Sequence, residues 1–235
     1  QMCIRDRPNR NIKCNLKAYQ FANFISVASQ HVKESFLLHQ YPENRIFVNP
    51  YGVDLSMFKP LPNIPKKYDV IMVGGWGYEK GCDLIVEAIR KTNYSFIHVG
   101  SIKDVDFPQE KNFTHIDPVD QSKLIEYYNQ AKVFILPSRQ DGFGMVLSQA
   151  LACNLPIIGS NNCGAPDLKK MVELPEYITI IKDYTADAIV TAIHTAIKNY
   201  EQLGERIYAG NAIENLTWEA YGKRYANFLH KIIKQ

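Results

Sequence analysis

A chain of 235 residues, 46% hydrophobic and 22% charged, can bury a sizeable core and hold one domain plus part of another. Lys+Arg 27 against Asp+Glu 24 leaves a net charge of only +3, no footprint of a nucleic-acid binder, and no apolar run approaches membrane-spanning length. The five cysteines form no CxxC pair and the six histidines no HxxxH pair, which points to reduced thiols in a cytoplasmic protein and away from a structural metal site.

The first seven residues, Gln1-Met2-Cys3-Ile4-Arg5-Asp6-Arg7, carry no helical or strand period. They resemble translated read-through of an adapter used in sequencing-library preparation, and are expected to be non-native. The native start, with any targeting signal, is then expected to be missing as well.

Residues 24–28 read as a strand, and Ser29 as the cap of a helix over residues 31–39 that stops before Pro42. Residues 45–48 form another strand, which runs into the turn-rich Asn49-Pro50-Tyr51-Gly52-Val53-Asp54. Residues 59–67 hold Pro60, Pro62 and Pro65 and read as a semi-rigid linker.

A second α/β pattern follows. Tyr68-Asp69-Val70-Ile71-Met72-Val73 is a strand ending in Gly74-Gly75-Trp76-Gly77, and a helix over residues 80–91 turns Leu84, Ile85, Ala88 and Ile89 to one face. Residues 95–99 form a strand closed by Gly100; 113–116 is a short strand and 121–130 a helix. Val133-Phe134-Ile135-Leu136, ended by Pro137, suits a strand buried on both faces. Arg139 to Gly144 is a polar loop with two glycines, and from Met145 the apolar residues Val146, Leu147, Ala150 and Leu151 return at helical spacing. Residues 156–159 and 177–181 are further strands, 186–200 a helix. A last helix over residues 217–233 sets Trp218, Tyr221, Tyr225, Phe228, Leu229 and Ile232 on one stripe, a pattern that suits core packing.

Strands alternating with helices argue for a doubly wound parallel sheet, an α/β Rossmann-like fold. Such sheets bind ligands outside the strand carboxyl ends, where these glycine loops lie. A strand, a glycine loop and a helix start present free N–H groups and partial positive charge to an anion, and glycine lets backbone approach a ligand. The same pattern suits any α/β unit, with Asp141 as a turn residue.

Familiar nucleotide motifs are missing. There is no GxxxxGK[ST] loop and no GxSxG elbow. Gly75-Trp76-Gly77-Tyr78-Glu79-Lys80-Gly81 comes near a dinucleotide fingerprint but has one residue too many before its last glycine. The next strand also ends without the acidic ribose ligand.

As a set, the pieces resemble retaining GT-B glycosyltransferases of family 4. Asn49-Pro50-Tyr51-Gly52-Val53-Asp54, with Phe58 and Pro60, resembles that family's crossing into its second domain. Val73-Gly74 through Lys80-Gly81 resembles its first glycine loop. Pro137-Ser138 through Asp141-Gly142-Phe143-Gly144, with Ala150, Ala152-Cys153 and Leu155-Pro156, resembles its donor motif. The helix from Trp218 to Tyr225 resembles the one that packs back toward the first domain.

The resemblance implies the C-terminal half of a GT-B fold. Residues 8–58 would end the N-terminal Rossmann-like domain, 59–67 would link, 68–212 would bind the donor and 213–235 would pack back. It implies a UDP- or GDP-type nucleotide sugar, a saccharide or lipid-linked acceptor, retention at the anomeric carbon, no cofactor and usually no metal. Peripheral membrane association would come through the missing first-domain part. Lys80 and Asp141 would be catalytic. Gly74, Gly75, Lys80, Gly100, Gly142, Phe143, Gly144, Met145, Val146 and Gln149 would hold the donor. Lys80 would otherwise work against the dipole of the helix it precedes unless an anion lies beside it.

The departures are specific. Gly75 stands where the family has a basic residue, with Arg139 as a candidate substitute. Asp141 and Gln149 stand where it has two glutamates, and Asp167 where it often has another. These departures keep open a nucleotide-sugar-binding module without turnover; a GT-B epimerase is the third reading. The chain alone is expected to bind nucleotide without transferring sugar.

Overall fold

The computed structural model describes residues 9–203 and 210–234. The seven head residues expected to be non-native lie outside that range. Two parallel sheets organise the rest. The smaller pairs β1 (Ile25–Val27) with β2 (Ile46–Val48), in register Ile25 to Ile46. The larger holds β3 (Tyr68–Val73), β4 (Phe96–Val99), β5 (Phe113–Ile116), β6 (Ala131–Leu136), β7 (Ile157–Ser160) and β8 (Ile178–Ile181). Its order is β5-β4-β3-β6-β7-β8, all parallel, as the alternation of strands and helices predicts. The chain order reverses between β3 and β6, so the loops after these two strands flank the crevice where such sheets bind ligands.

The central strands are buried on both faces. Val70, Ile71, Val133, Phe134 and Ile135 are fully enclosed, each worth roughly 1.5–3 kcal/mol of burial. In chain order the helices are α1 (Asn9–Phe21), α2 (Gln30–Leu38), α3 (Cys82–Lys91), α4 (Gln121–Gln130), α5 (Met145–Ala152), α6 (Ala165–Lys169), α7 (Ala186–Leu203) and α8 (Trp218–Ile233), of which α3, α4, α5 and α7 cover the sheet. On α3, Leu84, Ile85, Ala88 and Ile89 face inward at the predicted spacing. This helix starts two residues later than expected, because residues 78–80 form a 3-10 turn and Gly81 follows at φ +75°. A Cβ at Gly81 would strike the Pro137 carbonyl, which ties the first glycine loop to the end of β6.

Two helices stand outside the expected elements: Asn9–Phe21, where Ile12, Leu16 and Tyr19 recur at helical spacing, and Ala165–Lys169, which is too short to show a period. Ser29 caps the helix Gln30–Leu38 as expected, accepting from Val32 N–H at 3.3 Å. The proline-bearing residues 59–67 run over the end of α4, where buried Asn129 takes the Leu61 N–H (2.7 Å) and donates to the Lys59 carbonyl (3.0 Å).

The last helix, Trp218–Ile233, departs from the core-packing expectation: none of its residues is buried. Its aromatic stripe lies instead across the segment before the linker. Phe228 stacks on Phe47 at 4.1 Å and meets Phe24 edge-on, while Trp218 and Tyr221 contact Tyr51. Arg224 clamps the same segment, donating to Asn49 Oδ1 (2.7 Å) and the Pro50 carbonyl (2.8 Å). Val53 pairs with Thr217, and a Cβ on Gly52 would strike the Trp218 backbone. The turn-rich segment at residues 49–54 is therefore the seat of the C-terminal helix.

Candidate functional site

A cavity of about 740 Å³ opens between the two sheets, at the carboxyl ends of β3 and β6. Gly74, Lys80, Asp141, Gly142, Phe143, Gly144, Met145 and Val146 line one wall. The other wall comes from the N-terminal segment, including Ser26, Ala28, Val32 and Tyr51. The volume lies within the roughly 300–1,000 Å³ typical of small-ligand sites.

Lys80 and Asp141 meet across this cavity. The ammonium lies 2.6 Å from Asp141 Oδ2, both side chains being mostly buried. This supplies the anion that a lysine just before α3 requires. The other carboxylate oxygen, Oδ1, accepts from Phe143 N–H at 3.1 Å, so Asp141 is held at both ends. One backbone donor of the loop is thereby occupied by its own aspartate, and Phe143 is buried in the cavity wall. The donors left for an anion lie nearer the start of α5, where helix geometry leaves the first N–H groups without intrahelical partners. Gly144 precedes that helix at φ +79°, with Leu136 and Leu147 crowding the space a Cβ would need.

The second wall is bolted to the first. Ser29 Oγ, besides capping its helix, donates to the Gly142 carbonyl at 2.6 Å. The Gln30 N–H donates to both oxygens of Asp167, at 3.2 and 3.1 Å. Burial pushes the Asp167 carboxyl above its ordinary range. Asp167 thus serves a helix start of the N-terminal segment, a role the sequence did not reveal.

Three predicted donor residues lie off the main cavity. Gln149 is buried; its Oε1 accepts from the Tyr128 hydroxyl at 2.9 Å, and it borders a smaller cavity of about 190 Å³ with Gln121, Met145 and Trp218. Met145 borders both cavities. Gly100, at φ +151°, lies behind Gly74, and a Cβ there would strike the Gly74 carbonyl. Gly75 is covered by the Lys103 side chain.

Arg139, the candidate replacement cation, is engaged elsewhere. It grips Asp83 through two nitrogens (2.6 and 2.8 Å), donates to the Tyr78 carbonyl and lies 3.8 Å over the Tyr78 ring. Beneath the first glycine loop, buried His98 reaches the Gly74 carbonyl through Nε2 (2.8 Å) and His115 Nδ1 through Nδ1 (3.0 Å). No motif flagged this pair, because a histidine inside an apolar strand gives no spacing signal.

The family model for glycosyl transferases group 1 matches residues 56–212. Among curated relatives, a probable sucrose-phosphate synthase of Thermosipho melanesiensis is 26% identical across 97% of this chain and 59% of its own length. A GDP-mannose-dependent mannosyltransferase of Mycolicibacterium smegmatis is 23% identical across 88% of this chain and 62% of its own. Among solved structures, sucrose-phosphate synthase from Thermosynechococcus elongatus superposes with a TM-score of 0.73 at 20% identity, covering 97% of this chain and 63% of that one. Anabaena Alr3699/HepE, solved with UDP and glucose, superposes with a TM-score of 0.73 at 17% identity, covering 94% and 66%. These likenesses show a GT-B-type α/β fold. The chain spans about three fifths of the length of the first of these relatives.

Proposed function

This chain belongs to the glycosyl transferases group 1 family, and from that premise we propose that its large cavity is the donor site of a retaining, family-4-type glycosyltransferase. The observation that carries the reading is the meeting of Lys80, Asp141 and the start of α5 in one cavity at the sheet's switch point. The neighbour solved with UDP and glucose supports a UDP-type donor; the mannosyltransferase relative supports a GDP type as the alternative.

In this reading the leaving diphosphate lies toward Lys80 and the first N–H groups of α5. Fixed charge and oriented donors there stabilise the charge that develops as the glycosidic bond breaks. Asp141, held by Lys80 and Phe143 N–H, fronts the sugar. Gln149 reaches the ribose by way of the smaller cavity it borders. The acceptor, a saccharide or lipid-linked saccharide, enters from the wall carrying Ser26 and Tyr51. Transfer is assigned to the longer protein, working in the cytoplasm without a metal, and the present chain is expected to bind nucleotide without turnover. Among the described residues no helix is long and apolar enough to cross a membrane. Peripheral membrane association is assigned to the first-domain part of the longer protein.

Two observations favour the binding-module alternative: Gln149 is turned to Tyr128, and the charge of Lys80 is already matched. Calorimetry with UDP, GDP and ADP tests the donor reading, with the matching nucleosides as controls. One preferred diphosphate is expected, and no binding of any of them would sink it. Initial rates with the intact protein then separate enzyme from module.

A further inference from the structure

Three cations stand near the first glycine loop, and two are already matched by carboxylates. Lys80 is held by Asp141, and Arg139 by Asp83. The third is Lys103, an exposed residue in the loop after β4, for which no ion pair is seen among the described residues.

Its placement is built rather than incidental. Beyond the ends of β3 and β4 the two loops stay zipped together. Trp76 N–H donates to the Ser101 carbonyl (2.7 Å), Lys103 N–H to the Trp76 carbonyl (2.9 Å), and Tyr78 N–H to Asp104 Oδ1 (2.8 Å). The root of Lys103 is thus fixed beside the loop that follows β3. From there its stem lies across Gly75. A Cβ on Gly75 would strike Lys103 Cε and stand 3.0 Å from Cδ and 3.1 Å from Nζ. The ammonium therefore occupies the space a side chain at position 75 would enter, one residue from the cavity-lining Gly74. The backbone at Gly75 lies outside the left-handed region, so the space beside it is contested only by the flexible Lys103 stem.

We propose that Lys103 is an anion-binding residue of the donor site, delivering to the nucleotide diphosphate a cation that position 75 lacks. The assignment rests on the donor-site reading of the cavity. Lys80 must leave or share Asp141 to meet a diphosphate, whereas Lys103 carries an uncommitted charge and needs only a turn of its flexible stem. Glycine at 75 and lysine at 103 act as one unit, the first making room for the second.

The test uses calorimetry with whichever of UDP, GDP or ADP the wild-type chain binds, and with its nucleoside. Lys103→Ala is expected to weaken the diphosphate by roughly tenfold or more, in line with loss of a charge-assisted hydrogen bond, and to leave the nucleoside unchanged. Lys103→Arg should stay near wild type. Gly75→Lys should recover affinity in the Lys103→Ala background, by supplying the missing cation from the facing loop. Diphosphate binding unchanged in Lys103→Ala overturns the assignment while leaving the donor site intact. Equal losses for diphosphate and nucleoside overturn it as well, since they indicate a shape effect. No diphosphate binding by wild type removes the donor-site reading and this assignment together.

Discussion

The Lys80 ammonium rests 2.6 Å from Asp141 Oδ2, and the two residues come from loops that follow neighbouring strands of one sheet. At the proposed donor site an arriving diphosphate would compete with Asp141 for Lys80. Asp141→Asn removes that competitor without changing shape, so affinity for the free nucleoside diphosphate should rise severalfold while turnover of the intact protein falls. Lys80→Ala should weaken the diphosphate by about 1.5–3 kcal/mol and spare the nucleoside. Calorimetry on both variants checks this, and unchanged diphosphate affinity in Lys80→Ala would remove Lys80 from the site.

Gln149 shows what burial does to a polar side chain. Its Oε1 depends on the Tyr128 hydroxyl, and both side chains are enclosed. Tyr128→Phe leaves that oxygen without its partner, at an expected cost of roughly 1–3 kcal/mol in urea unfolding. Gln149→Glu places a carboxylate in the same spot, and should cost stability while deepening the hydrogen bond from Tyr128. If Tyr128→Phe unfolds at the wild-type urea concentration, the hydrogen bond contributes nothing and Gln149 is free to turn outward.

The His98–His115 pair gives stability a pH dependence. His98 donates from Nε2 to the Gly74 carbonyl, so its Nδ1 accepts from His115 Nδ1–H. The groups around it are the rings of Trp76, Phe107 and His115, with Asp117 beyond His115. Burial first of all, and then the neighbouring His115, push the His98 pKa down to about 4 against 6.5 for the free side chain. The unfolded chain therefore takes up a proton below pH 6.5 that the folded protein refuses until about pH 4. The neutral imidazole's full contribution is present above pH 6.5 and is lost progressively toward pH 4, by about 3 kcal/mol at most. Urea midpoints measured from pH 7 to 4 should fall in that window. The slope should flatten in His98→Gln; an unchanged slope would mean other groups carry it.

Ser29 and Asp167 decide how firmly the two walls of the cavity hold together. Ser29→Ala removes both a helix cap and the hydrogen bond to Gly142, and should cost about 1–2 kcal/mol. Asp167→Ala removes the acceptor for Gln30 N–H, while Asp167→Asn keeps one oxygen and should be milder. Amide hydrogen exchange over residues 30–38 reads the change directly. Faster exchange there, with the core strands unaffected, is the expected result; protection equal to wild type would show that the wall is held by its apolar contacts alone.

The strands and most helices follow from residue order because each apolar run records which face of its own element is buried. Val70 to Val73 and Val133 to Leu136 can be solvent-free only as central strands, and the α3 stripe only as a helix on a sheet. Two such strands, each followed by glycines, place both loops at one end of a parallel sheet, so the meeting of the two glycine loops beside one cavity was legible from residue order. The helix Ala165–Lys169 was not, because five residues are too few to show a period. Nor were the partners of the polar side chains. Lys80 reaches Asp141 across 61 positions of sequence, Ser29 reaches Gly142 across 113, and Lys103 covers Gly75 only because β4 lies beside β3. Such contacts depend on strand order and loop path, which periodicity does not encode. The tertiary structure thus decided which cations are already matched, which way Gln149 turns, and that Arg139 belongs to Asp83.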